Sequence, residues 1–277
     1  MPAAKKSFFR MPGPLPWENI PQLDGGALDL VKIAAAVFMV IDHGNEVVFD
    51  GAFPVSFMIG RGAFPLFSYA LAIAVLKAGK DGERYAVRKY APRIFVAALL
   101  SEPIYTFVMG GPPVSVLFTL ALAAIWAGFS LRLNNLQFLA LGALSIAGNF
   151  THPLSDFGFC GVAIPAMMIG VMQGRRFALA MLLVALSTVN LQSYFNGEIE
   201  FPPGAEGYTI TVLTALASIY MPLFVLNALK KMKKRKRILP KYALHFFYPG
   251  HLVLLWLIHF VWEMTSLGAW GQIGAQP

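Results

Sequence analysis

The sequence predicts an all-α fold, a polytopic membrane protein with about nine transmembrane helices. Hydrophobic residues make up 57% of the 277 residues, and charged residues make up only 13%. Mean hydropathy is strongly positive, and the charges cluster in short stretches between long apolar segments. Soluble domains of this length do not have such a composition, which is typical of multi-pass membrane proteins.

Candidate spans are the apolar segments that approach the length of about 20 residues needed to cross a bilayer as a helix. There are nine, at residues 28–48, 57–77, 94–110, 114–131, 136–150, 158–173, 177–195, 207–229 and 243–263. They predict one transmembrane domain at 28–263. A Pro-rich tail at 1–27 precedes this domain and lacks the apolar core of a signal peptide. A short polar tail follows at 264–277.

The basic residues predict the orientation. They lie before the first span and in the loops after spans two, four, six and eight. With nine spans these loops share one side of the membrane, which the positive-inside rule makes cytoplasmic. The loop at 196–207 lies on the opposite side and carries only acidic charge. We therefore expect the N-terminus in the cytoplasm and the C-terminus outside.

The basic loops also account for the net charge of +8. The run at 230–237 has no interleaved aromatic residues, so a nucleic-acid partner is not expected. It serves as a topology anchor or contacts anionic headgroups of the bilayer. Cys160 is the only cysteine, which excludes disulfides and cysteine-based metal sites. No metal site is predicted.

The first span, DLVKIAAAVFMVIDHGN at 29–45, carries four ionisable groups. Lys32 and His43 are eleven positions apart, which places them within about 20° of one helix face and about 16 Å apart along the axis. Charges inside a membrane are costly and normally mark a functional path. Histidine is the usual general base near neutral pH. The alternative for Asp29 is a structural role, in which it forms a buried ion pair with Lys32 that helps the helices pack.

Five segments carry a resemblance to a known family. They are LDLVKIAAAVFMVIDHGN (28–45), RGAFPLFSYALA (61–72), LSEPIYTF (100–107), VLFTLAL (116–122) and KYALHFFYPGHLVLLWL (241–257). Through them the chain resembles the TraX family, membrane proteins of conjugation systems that N-acetylate the pilin subunit. More distantly, the spacing of Asp29, Lys32 and His43 resembles the first helix of membrane acyltransferases that O-acylate cell-surface glycans. In those enzymes the histidine is catalytic and an arginine stands in place of Lys32.

The resemblance implies a catalytic group around His43, to which we assign Asp42, Arg61 and Glu102 as candidates. Arg61 is expected to orient a carboxylate or a developing oxyanion, or to form an ordinary salt bridge between helices. Glu102 precedes Pro103 within a span, where a lone carboxylate is costly. It is expected to share a proton with His43, or to pair with a basic residue.

The resemblance also implies acetyl-CoA as the acyl donor. The segment RYAVRKYAPRIF (84–95) resembles the basic loop that holds acyl-CoA phosphates in the glycan-modifying enzymes. The candidate cofactor-binding residues are Asp29, Lys32, Arg88, Lys89, Arg93 and His245. The candidate substrate-binding residues are Tyr248, His251 and Tyr105. In the last span, Pro249 and Gly250 are expected to interrupt the helix, and His259 is expected at the membrane interface.

Other polar residues give weaker signals. A substrate hydrogen bond is one expected role for three of them, Thr119, Asn190 and Gln192. A bridge between helices is the other, and it is the commoner use of such residues. His152 and Asp156 are expected to border the acceptor entrance.

The function that fits these expectations is a transfer of acetyl from cytoplasmic acetyl-CoA to an acceptor amine. By the resemblance, the acceptor is the N-terminus of a pilin subunit in the bacterial inner membrane, although another amine or a hydroxyl remains open. His43 acts as general base or as a transient acyl carrier.

Two other classes of function use the same residues. A proton-coupled transporter would relay protons through Asp29, Lys32, His43 and Glu102, but no inverted repeat divides the chain. A haem-binding electron carrier would use His43, His251 or His259 as axial ligands, and no pair of histidines has a spacing diagnostic of one.

Overall fold

The computed structural model describes residues 15–110, 114–149, 157–189, 205–232 and 236–273, and within these ranges the fold is all-α. The helices are α1 (Gly25–Phe49), α2 (Pro54–Gly60), α3 (Ala63–Lys77), α4 (Gly82–Tyr85), α5 (Ala91–Met109), α6 (Val116–Ser130), α7 (Asn135–Gly148), α8 (Gly158–Met172), α9 (Ala178–Thr188), α10 (Ala205–Leu229) and α11 (Ala243–Ile273). A 3₁₀ turn (Gly79–Asp81) and a π-helical turn (Ala86–Tyr90) flank α4.

Each predicted span overlaps a helix in the described residues, and positions 150 and 190–195 of two spans lie outside them. Four helical stretches of the described chain are long and apolar enough to cross a membrane, namely Pro54–Lys77, Gly79–Met109, Gly207–Leu229 and Ala243–Thr265. Four shorter apolar helices accompany them, α6 to α9. The chain is therefore a multi-pass membrane protein. The number of nine crossings and the orientation of the termini stay predictions.

Helix α1 is long enough to span but is not among the four apolar stretches. Any 18-residue stretch of it contains at least three of its four charged residues, Asp29, Lys32, Asp42 and Glu46. Two of them, Asp29 and Asp42, are buried against neighbouring helices. The helix ends where Asp50 and Gly51 take left-handed φ angles of 50° and 72°, which suits a helix C-terminus.

The most buried helices are α3 and α8. Side chains on all sides of α3 are buried, including Phe64, Leu66 and Tyr69, and α8 buries Ile164 and Met168. A helix that is apolar all round belongs in the centre of a bundle or a membrane domain. In contrast, α5, α10 and α11 expose large apolar side chains such as Leu100, Phe107, Phe224, Phe246 and Trp262. These outer surfaces are suited to contact with lipid.

Several contacts gather the basic loops at one end of the bundle. Arg132 pairs with Glu83, and Arg175 donates to the carbonyls of Ser130 (3.0 Å) and Leu133 (2.9 Å). The Arg175 guanidinium is partly withdrawn from solvent, and this burial lowers its pKa. We call this end of the bundle, formed by the loops at 77–90, 130–135, 173–177 and 236–242, the basic end.

The residues before α1 pack against the helices of the bundle. Trp17 is 2% exposed and its indole Nε1 donates to the Ile219 carbonyl of α10 at 3.0 Å. The Tyr69 hydroxyl of α3 donates to the Pro21 carbonyl at 2.5 Å and accepts the Leu23 N–H at 2.9 Å. Lys77 donates to the Leu23 carbonyl. The domain limits at 27 and 263 stay predictions, but the residues just before 27 are an integral part of the packing.

The expected interruption of the last helix is wrong. Helix α11 runs through Pro249 and Gly250 without ending, and α5 likewise continues past Pro103. A proline removes one hydrogen bond and kinks a helix, but membrane helices tolerate it because neighbouring groups satisfy the freed carbonyl.

Candidate active site

Two histidines from the first and last described helices meet in the bundle. His43 Nδ1 of α1 lies 2.8 Å from His251 Nε2 of α11. The two rings are nearly parallel, with centroids 5.1 Å apart and planes inclined by 13°. His251 is only 6% exposed. The structure thus brings together a candidate catalytic residue and a candidate substrate-binding residue as direct hydrogen-bond partners.

His251 is held from its other side by its own helix. Its Nδ1 lies 3.0 Å from the Phe247 carbonyl, one turn earlier. The Phe247 ring stacks on the imidazole at 4.8 Å with an interplanar angle of 4°. Tyr248 meets the same imidazole edge-on at 5.6 Å. These contacts leave His251 little freedom of orientation.

A buried ion pair lies one residue from His43. Asp42 is 8% exposed and its carboxylate pairs with Arg61, which follows α2. The Arg61 guanidinium lies over the Phe57 ring at 4.4 Å and near the Phe157 ring at 5.8 Å. Its Nε is buried and has no hydrogen-bond partner within the described ranges. Of the two roles predicted for Arg61, the structure shows the salt bridge between helices.

The chain brings Arg61 to Asp42 by a short connection and a glycine. The Phe53 N–H donates to the Asn45 Oδ1 at 2.9 Å, which folds the segment after α1 back on that helix. A Cβ on Gly60 would overlap the Asp42 side chain. Glycine at this position therefore permits the close approach of α2 to α1.

Asp29 occupies a structural position at the basic end. It is 1% exposed and accepts Lys32 Nζ at 3.0 Å on one oxygen. Its other oxygen accepts the N–H groups of Ile238 (2.9 Å) and Leu239 (3.2 Å). The carboxylate therefore ties the loop before α11 to α1. The ion pair with Lys32 that the sequence left as an alternative is present.

A cavity of about 100 Å³ lies against α1, where Lys32 and Met39 line it. Its lining is mostly apolar and consists of Lys32, Met39, Phe67, Ala70, Leu71, Tyr90, Ile94, Ala97, Leu117, Leu120, Leu244, His245, Phe247 and Tyr248. Lys32 and His245 stand nearest the basic end. Met39, one turn before His43, and the two aromatic residues in contact with His251 stand nearest the histidine pair. The cavity therefore links the basic end to the neighbourhood of the pair.

A family model described as TraX protein matches residues 27–259. The chain belongs to the TraX family. No curated protein and no solved structure gives a significant match to it. The matched range contains both histidines, the Asp42–Arg61 pair and the whole cavity lining. Membership of the TraX family indicates a role in pilin processing in conjugation.

Three of the basic residues predicted to bind the cofactor adjoin Tyr90 and Ile94, which line the cavity of this TraX-family chain. Arg88, Lys89 and Arg93 are exposed, in the π-helical turn and at the start of α5. Nearby, Lys241 lowers the pKa of the exposed Tyr242 phenol, with a smaller contribution from Arg93. Arg93 of α5 and Lys241, just before α11, therefore both lie near Tyr242.

Glu102 of the TraX-family chain lies elsewhere than predicted. Its two carboxylate oxygens each accept the Ser115 N–H at 3.3 Å, so the residue links α5 to the beginning of α6. Its described contacts go to this helix start and not to His43. Tyr105, one turn later, is buried in the apolar core at 5% exposure.

Some predicted residues of the TraX-family chain lie outside the described ranges: His152, Asp156, Asn190 and Gln192. Thr119 is fully buried in α6. His259 of α11 pairs with Glu263 at 3.4 Å, eight residues beyond His251.

Sequence reasoning on this TraX-family chain missed three features of the site. It named both histidines without pairing them, and it did not single out Met39 or Gly60. The pairing has no local signal, since it depends on α1 and α11 being neighbours. Gly60 had a weak signal, because it directly precedes the arginine that the same reasoning selected.

Proposed function

We propose that the chain is an integral membrane acetyltransferase that moves the acetyl group of acetyl-CoA to an acceptor amine. The N-terminal amine of a pilin subunit is the acceptor that family membership favours. One observation carries the proposal: His43 is hydrogen-bonded to His251, and two aromatic residues that contact His251, Phe247 and Tyr248, line an apolar cavity that extends to Lys32. The proposed location is the bacterial inner membrane, with the basic end in the cytoplasm.

The basic end supplies the proposed site for the donor. Phosphate groups are bound by arginine and lysine through charge-assisted hydrogen bonds, and Arg88, Lys89 and Arg93 are exposed there. Lys32 and His245 stand at the neck of the cavity. His245 Nδ1 is buried without a hydrogen-bond partner in the described part of the chain and is available to the donor.

The length of α1 matches the need to carry the thioester inward. Lys32 and His43 are separated by about 16 Å along the helix axis. The cavity that Lys32 lines extends at least to Met39, one turn before His43, and most of its lining is apolar, which suits the slender pantetheine arm and disfavours water. In this arrangement the phosphate-bearing headgroup of the donor stays at the basic end while its acetyl group reaches His43.

The chemistry is a direct acyl transfer with one proton taken up and returned. The acceptor nitrogen attacks the thioester carbonyl carbon, a C–N bond forms, and His43 Nε2 takes the proton that the nitrogen loses. The C–S bond then breaks, and the CoA thiolate leaves with the proton from His43. Arg61 Nε, which lacks a partner among the described residues, is the proposed donor to the oxyanion. Asp42 positions that arginine.

The test measures CoA release from acetyl-CoA by the detergent-purified protein, with a pilin N-terminal peptide as acceptor. The same peptide with a blocked amine is the acceptor control. His259→Gln is the matched protein control, because His259 lies on the same helix as His251 but outside the cavity lining. We expect turnover and a singly acetylated peptide for the wild type and for His259→Gln, and none for His43→Gln.

Turnover that survives in His43→Gln would overturn the role of this histidine. Absence of acetyl-CoA binding and of turnover with peptide, small amines and alcohols would overturn the acetyltransferase. The buried charges of α1 would then be tested as a proton relay by uptake measurements in proteoliposomes.

A further inference from the structure

We infer that His251 is a positioning residue that fixes the tautomer of His43, so that both imidazoles carry their proton on Nδ1 and His43 presents a bare Nε2. The tautomer follows from hydrogen bonds alone. Its use in catalysis rests on the proposed function.

The argument begins at the Phe247 carbonyl, which can only accept a hydrogen bond. Because His251 Nδ1 lies 3.0 Å from that oxygen, the proton between them belongs to His251 Nδ1. A neutral imidazole has one N–H, so His251 Nε2 has a lone pair.

The next bond transmits this choice to the other helix. His251 Nε2 lies 2.8 Å from His43 Nδ1, and an unprotonated nitrogen can only accept. The proton of that bond therefore belongs to His43 Nδ1. The remaining nitrogen, His43 Nε2, keeps its lone pair and is the basic atom. A backbone carbonyl in α11 thus selects which nitrogen of α1 is the base.

Both rings are neutral before the reaction. Two adjacent imidazolium ions would repel each other, and a charge in this position is costly to bury. Among the described ion pairs, none joins a carboxylate to either ring. Asp42, the nearest acid along the chain, is paired with Arg61. The His251 imidazole, itself held by the Phe247 carbonyl, therefore orients His43. In the Ser-His-Asp triad of hydrolases a carboxylate has this role.

The same chain of bonds provides a place for the proton during turnover. When His43 Nε2 gains a proton from the acceptor, its Nδ1 proton can cross the 2.8 Å bond to His251 Nε2. The positive charge then lies on His251, whose Nδ1–H still donates to Phe247. When the thiolate leaves, both protons move back. One proton enters at Nε2 of His43 and one leaves from it, so the relay is balanced.

The first experiment reads the tautomers directly and needs no substrate. The full-length protein is labelled with ¹⁵N in its imidazoles, and the signals of His43 and His251 are assigned with the single His→Gln variants. We expect both residues to be protonated on Nδ1 and unprotonated on Nε2. In His251→Leu, His43 should change to the Nε2-protonated form. In His259→Leu, on the same helix, its signals should not change.

The second experiment separates positioning from simple packing. His251→Leu should lower kcat with acetyl-CoA by about 10- to 100-fold, the range for losing a partner that orients a histidine, with little change in KM. His251→Gln keeps a carbonyl oxygen that accepts from His43 Nδ1, so it should recover most of the lost kcat and retain the tautomer. His259→Leu should match the wild type.

The outcomes separate the inference from the proposed function. A wild-type His43 protonated on Nε2, or a His43 tautomer unchanged in His251→Leu, would overturn the inference whatever the enzyme does. The expected tautomers in a protein without acetyl transfer would leave the inference standing and remove the proposed function. If His251→Leu fails to fold, His251→Gln and the wild-type tautomer still decide the question.

Discussion

Arg61 pairs with Asp42 across the turn that joins the first two helices, and both side chains are largely removed from solvent. The guanidinium also covers the Phe57 ring. A buried ion pair adds little net stability compared with apolar residues, but loss of one partner leaves the other charge buried and uncompensated. The pair is therefore a sensitive point in the packing beside His43.

Arg61→Gln should lower the free energy of unfolding by about 3–5 kcal/mol, because the Asp42 carboxylate loses its counter-charge. Unfolding in detergent micelles by SDS titration measures this loss. Arg132→Gln is the matched control, since Arg132 pairs with Glu83 while its own side chain is 76% exposed, and such pairs contribute at most about 1 kcal/mol. Equal losses in the two variants would contradict the burial argument.

Gly60→Ala should disturb the junction of α1 and α2. The new Cβ would overlap the Asp42 side chain, and overpacking of this kind costs about 1–3 kcal/mol. The thermal midpoint and CoA release should both fall. Gly250→Ala, beside His251, meets no atom within 4 Å and should leave the thermal midpoint unchanged or raise it, because alanine favours helix. A neutral Gly60→Ala would show that the helices can separate without loss.

Asp29→Asn should expose the chain just after Arg237 to trypsin. The Ile238 N–H belongs to the peptide bond that trypsin would cleave, and Asp29 accepts it at 2.9 Å. Loss of the charge weakens this bond and releases Lys32. Limited proteolysis followed by intact mass measurement should show faster cleavage at this bond. Asp81→Asn, an exposed acid at the same end, should cleave like the wild type, and equal rates in both variants would count against the anchor.

Ala97→Phe should weaken acetyl-CoA binding because its ring would fill part of the cavity of about 100 Å³ that Ala97 lines. We expect KM for acetyl-CoA to rise by at least tenfold, with the histidine tautomers unchanged. Ala140→Phe, on the exposed face of α7, is the control for adding a phenyl ring to a membrane helix. An unchanged KM in Ala97→Phe would place the donor outside this cavity.

Apolar length predicted the helices well, but the details inside one span depended on tertiary contacts. The span at 57–77 is divided into α2 and α3 at Arg61 and Gly62, since the arginine turns toward Asp42. Hydropathy does not register such a turn, because the whole stretch Pro54–Lys77 is apolar enough to read as one span.

The candidate site could be predicted only in part. Lys32 and His43 lie on one helix, so their shared face follows from the helical period. The pairing of His43 with His251 spans 208 positions, and no periodicity within a helix reports it. The partner of Glu102 is the Ser115 N–H, which donates to its carboxylate. A backbone donor from the start of another helix has no signal in the sequence.

The contact between Trp17 and Ile219 has a consequence for folding during synthesis. The two residues are separated by 202 positions. The ribosome therefore completes most of the membrane helices before Trp17 can form this hydrogen bond. Until Ile219 is made, the Trp17 indole lacks the carbonyl that accepts its hydrogen bond. A chain that terminates before Ile219 would lack both this contact and His251. Shortened products are thus expected to be open bundles without the histidine pair, and suitable targets for membrane quality-control proteases.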